Sequence, residues 1–147
     1  MSNVPMIDRI SWKAMLLQFL FMVLCYSVAA AFYPEEAFLL GVGSYFLVTV
    51  VLKYTMIMPF RKGIAYVRMG HFSDAISSFS QSIEFLDKNP WVDQYRAILL
   101  ANPSAFSYKE LALHNTAFAQ NELGQREEAN KTLKRLREEF PESKLLP

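Results

Sequence analysis

The hydrophobic rhythm of the chain changes once, near residue 60. Before that point apolar residues run on without a period; after it they return every three or four positions. Residues 14–32, AMLLQFLFMVLCYSVAAAF, form nineteen positions without a charge. At about 1.5 Å per residue this is a helix of about 28 Å, close to the ~30 Å hydrocarbon core of a bilayer. A second run, AFLLGVGSYFLVTVVLKYTMIM at 37–58, is interrupted only by Lys53. A lysine near the end of a span can carry its ammonium to the headgroups while its stem stays in the apolar phase. The connection YPEE at 33–36 has room for a turn and nothing more, so the pattern predicts an antiparallel helical hairpin. Trp12, Tyr33, Tyr54 and Phe60 fall near its four ends, where amphipathic rings anchor at interfaces. Small residues at Cys25, Ser27, Ala29 and Ala31, and at Gly41, Gly43 and Ser44, let the two helices approach closely.

Beyond residue 60 the pattern predicts pairs of short helices. Gly63, Ala65 and Tyr66 lead to Gly70 as a stop; Phe72, Ala75, Ile76, Phe79, Ser82, Ile83 and Leu86 follow at helical spacing. A second set places Ala117, Gly124, Ala129, Leu133, Leu136 and Pro141 at matching offsets. Ser107 and Glu110 before it have the spacing of a capping box, and Gly124 that of a left-handed helix stop. Between the sets, KNPWVDQYRAILLANPSAF at 88–106 predicts a short helix, about 92–100, between two Asn-Pro breaks.

Charge sharpens the division. Residues 14–58 hold only Glu35, Glu36 and Lys53, whereas residues from Arg61 onward hold twelve Lys/Arg against eleven Asp/Glu. That near balance argues against a nucleic-acid partner, which requires a basic excess on one face. Arg9 and Lys13 precede the first run, Arg61, Lys62 and Arg68 follow the second, and the turn has no basic residue. The bias predicts both termini in the cytoplasm of a bacterial-type inner membrane, with YPEE outside. A basic start, an apolar stretch and Ala29-Ala30-Ala31 also fit a cleaved signal peptide, but the second run five residues later favours an uncleaved anchor. The single cysteine, Cys25, has no intramolecular partner for a disulfide.

The paired offsets resemble the tetratricopeptide repeat. Its small residue falls on Gly63 and Ala117, its turn glycine on Gly70 and Gly124, and its second-helix alanine on Ala75 and Ala129; its closing proline falls on Pro141. The two turn glycines stand 54 positions apart, about twenty more than one repeat length. The resemblance implies an all-α fold: a transmembrane hairpin, then a short α-α superhelical domain with an inserted helix. The expected layout is an N-terminal segment at 1–13, a hairpin at 14–58 and a repeat domain at 59–147. Within that domain the repeats fall at about 59–89 and 107–141, flanking an insert at about 90–106.

What the resemblance implies about binding is a groove lined by Phe60, Ile64, Val67 and Arg68 from the first copy. Leu111, His114, Phe118, Asn121 and Glu122 line it from the second. Arg61, Lys62, Lys131, Lys134 and Arg135 are candidates for contact with anionic headgroups. His71 and His114 lie 43 residues apart with no converging Cys, His or carboxylate set, so no metal or other cofactor is expected. Phosphate-loop, dinucleotide and nucleophile-elbow motifs are also missing from the sequence, and no enzyme is expected. Two repeats bury a limited core, so the domain is expected to lean on its insert, the bilayer, a second copy or a partner. The leading expectation is a membrane-anchored module that recruits a membrane-associated protein. The alternative is an accessory or assembly subunit held in a larger membrane complex through its hairpin.

Overall fold

A computed structural model describes residues 10–145, all-helical apart from one isolated bridge. The chain forms two compact units, one of residues 57–93 with 106–145 and the other of residues 10–56 with 94–105.

In the hairpin unit, helix α1 (Trp12–Phe32) starts at Ser11, whose Oγ accepts from the Ala14 amide at 3.4 Å. It ends beside Tyr33-Pro34, where the proline ring disfavours helical backbone at the preceding residue. The return span opens as a π-helical segment, Phe38–Gly43, and continues as α2 (Ser44–Met56). Trp12–Phe32 and Phe38–Met56 are each long and apolar enough to cross a membrane. Gly41 sets their closest approach: a Cβ there would stand 2.7 Å from the Cys25 carbonyl oxygen and 2.9 Å from the Tyr26 Cα. No side chain could be seated in that gap. Phe21 and Tyr45 pack ring to ring across the same seam, with centroids 5.7 Å apart.

Residues 94–105 of the insert complete this unit, while its first residues belong to the repeat unit. Two short helices, α5 (Pro90–Gln94) and α6 (Arg96–Leu99), replace the single predicted helix, because the chain turns at Tyr95. Helix α6 packs against both α1 and α2, and the Tyr45 hydroxyl donates to the Ile98 carbonyl at 2.9 Å. Ala97 and Leu100 are buried. Further on, the Ser11 amide donates to the Pro103 carbonyl at 2.8 Å, and the Arg96 guanidinium to the Ser104 carbonyl at 3.0 Å.

The repeat unit holds two helix pairs: α3 (Met58–Met69) with α4 (Phe72–Lys88), and α7 (Tyr108–Glu122) with α8 (Arg126–Glu139). Only Ile57 separates α2 from α3. Both pairs turn in the same way. Gly70 and Gly124 take φ of 76° and 74°, a left-handed region in which a Cβ is costly. The following amides, His71 and Gln125, each close on a carbonyl in the last turn, Tyr66 and Gln120, at 2.9 Å. Gly63 is required by contact instead, since a Cβ there would lie 2.5 Å from the Phe79 ring. Phe79 is fully buried; Phe60 packs on it at 5.8 Å between centroids and on Tyr108 at 5.2 Å.

Candidate protein-interaction surface

The surface of interest is built on α7, so its placement comes first. Ser107 accepts from the Glu110 amide at 3.0 Å while Glu110 accepts from the Ser107 amide at 3.2 Å, the reciprocal bonds of a capping box. The Asp93 carboxylate, buried, takes the next two free amides, Tyr108 at 2.8 Å and Lys109 at 3.0 Å. A carboxylate there also complements the positive end of the helix dipole. Glu110 accepts in addition from the Ser143 hydroxyl, and Ser143 Oγ accepts from the Leu145 amide at 3.1 Å, which pins the segment after α8 to the start of α7.

At the same end of the pair, four charges join three helices. Lys109 of α7 bridges Asp87 of α4 and Glu139 of α8, and Arg135 reaches the same two carboxylates at 2.9 and 2.6 Å. Partial burial opposes ionisation of Asp87 and Glu139. The bonds and charges of Lys109 and Arg135 outweigh it and hold both carboxyls below the usual range.

With α7 fixed, α7 and α8 leave a groove of about 430 Å³ on their outer side. Its floor is apolar, made of Ala117, Phe118, Ala129 and Leu133, with Leu145 closing it. His114, Asn121, Arg126 and Asn130 form its polar margin. The His114 Nδ1 atom has no hydrogen-bond partner among the described residues, and burial pushes the imidazole below its ordinary value.

The sequence-expected groove residues divide between two environments. His114, Phe118 and Asn121 meet in this groove. Phe60 and Val67 are buried in the core of the unit, Ile64 and Leu111 are half-buried, and Arg68 and Glu122 are exposed at helix ends. Of the candidate headgroup contacts, Arg61 and Lys62 are exposed on α3. Lys131 pairs with Glu128, Lys134 with Glu138, and Arg135 with the two carboxylates described above. The half of the groove supplied by α8 was not anticipated, although its residues stand 54 positions after Phe72, Ala75, Ile76 and Phe79. That offset was the available signal.

The family model described as Tetratricopeptide repeat matches residues 111–143, which span most of α7 and all of α8. Residues 111–143 thus carry a tetratricopeptide repeat. No curated protein and no solved structure matches the chain. The small residues that define a tetratricopeptide repeat have a visible purpose here. Ala117 and Ala129 are almost fully buried where α7 and α8 cross, and a hydroxyl of α8, Thr132, donates to the Gln120 side chain at 2.8 Å. The tetratricopeptide fold serves as a protein–protein interaction module. Among the described residues no group of three or more His, Cys, Asp or Glu side chains is disposed to hold a metal.

Proposed function

We propose that this chain is a membrane-anchored recruitment module without catalytic activity. Its hairpin spans a bilayer with both termini in the cytoplasm, and its repeat unit captures a second protein that is itself at the membrane. The observation that carries this reading is the tetratricopeptide match over α7 and α8, on the same chain as two helices of spanning length. The basic flanks at Lys13 and at Arg61 and Lys62, with the acidic turn at Glu35 and Glu36, support the orientation. Arg61 and Lys62 are the residues we assign to the headgroup region. A long Gly/Ser spacer would let the module reach into the cytoplasm, but one residue joins α2 to α3, which favours a partner at the membrane. The test is crosslinking in native membranes with the full chain, followed by affinity capture and mass spectrometry. A reproducible protein partner is expected, and recovery of none refutes the reading.

A second reading, an accessory subunit gripped through the hairpin, is favoured by one observation. The seam between α1 and the return span carries an apolar groove of about 600 Å³, lined by Phe21, Leu24, Val28, Leu40 and Val48 among others. Replacing residues 10–56 together with 94–105 by an unrelated anchor separates the two. Recruitment survives that exchange; subunit incorporation does not.

A further inference from the structure

The first helix pair shows what the outer groove of the second pair is shaped to hold. Helix α7 lies on α3 and α4, with Tyr108 of its first turn against Phe60 and Phe118 of its C-terminal half against Phe72. It therefore runs alongside α3, ten residues of helix spanning from one contact to the other. A step of 54 residues carries Phe60 onto His114, Phe72 onto Arg126 and Phe79 onto Leu133, all three of which line the open groove. The groove is the same seat one repeat later. Its apolar floor is kept, while two of the phenylalanine contacts have become a histidine and an arginine.

We propose that this seat takes an amphipathic helix of a second protein, packed as α7 packs on the first pair and carrying a carboxylate over Arg126. The proposal rests on the recruitment reading and names the partner's chemistry. Three arguments fix the occupant. Interfaces that exchange between water and a partner keep an apolar centre and a polar margin, which is the pattern here. Arg126 has no ion-pair partner among the described residues, so an acidic side chain ten positions after the helix start meets a charge ready for it. A second copy of this chain is a poor occupant. Its own α7 is committed, with Tyr108, Ala112 and Ala119 buried, and its α3 would bring Arg61, Lys62 and Arg68 towards Arg126.

The probe is a fluorescent peptide with the sequence of residues 106–124, made in two forms, Phe118→Glu and Phe118→Lys. Each is titrated against the full chain in lipid nanodiscs and read by anisotropy. The Glu form is expected to bind saturably and about ten-fold more tightly than the Lys form, the discrimination of a single well-placed charge pair. Arg126→Glu, an exposed substitution on α8, reverses the order. Asn130→Trp fills the groove from its margin and abolishes both. Absence of saturable binding, equal binding of the two forms, or indifference to both substitutions overturns the proposal. The native-membrane capture, repeated with Asn130→Trp, separates its failure from that of the recruitment reading. A partner held equally by both chains leaves recruitment standing and removes this seat; a covalent dimer through this face makes the occupant a second copy and overturns the proposal.

Discussion

A methyl group on residue 63 would stand inside the contact distance of the Phe79 ring, and Phe79 is fully buried, so the ring has to shift within the core. Gly63→Ala is therefore expected to destabilise the repeat unit by about 1–3 kcal/mol, the usual result of overpacking, measured by chemical denaturation of the full chain in micelles. Asp93 is the more informative residue. Its carboxylate accepts two bonds from amides in the first turn of α7, fifteen and sixteen positions downstream. Asp93→Ala leaves both amides unpaired, with an expected loss of about 1–3 kcal/mol, while Asp93→Asn retains part of the capping. His114 adds a pH term. Burial lowers its pKa in the folded state, so the unfolded chain binds the proton more readily. Its contribution is intact above about pH 6.5 and is lost as pH falls through the folded value. His114→Phe, which restores the residue found one repeat earlier, is expected to flatten the stability profile between pH 7 and 5.

Helices were legible in the sequence where their signals are local, and illegible where a distant residue decides. Ser107 and Glu110 announce the start of α7 within four positions, and Gly70 and Gly124 announce two helix ends; all three features stand in the structure. Asp93 could not be found this way, because nothing in its neighbourhood says that its carboxylate is spent on another helix. The π-helical opening of the return helix was equally silent; it holds Gly41, whose close backbone approach to Cys25 is a tertiary contact. The groove was half legible: α7 residues follow from family positions, whereas the α8 wall requires knowing which side of the pair is left uncovered. The charge cluster of Asp87, Lys109, Arg135 and Glu139 is a tertiary feature of the same kind. Its carboxyls titrate below their unfolded values, so its contribution is present above about pH 4 and disappears as pH falls through the folded values. Lys109→Met is expected to cost about 1 kcal/mol at neutral pH, to remove part of this acid sensitivity, and to matter less in high salt, because the cluster is partly exposed.

For the molecule as a whole, the proposed orientation makes a direct prediction. In a Cys25→Ala background, Glu35→Cys should react with a membrane-impermeant maleimide on intact cells. Ser143→Thr with Glu142→Cys should react only after the membrane is opened, and the reverse pattern removes the orientation. The division into units has its own bearing on how the protein is made. Residues 94–105 belong with the hairpin, yet they are synthesised about forty residues after α2 ends. At about 5–20 residues per second, the two spans wait roughly 2–8 s with the Tyr45 hydroxyl lacking the Ile98 carbonyl. During that interval α3 and α4 are already emerging, so the first helix pair can form before the hairpin is complete. The hairpin unit is in this sense finished late, by a segment synthesised after the first helix pair.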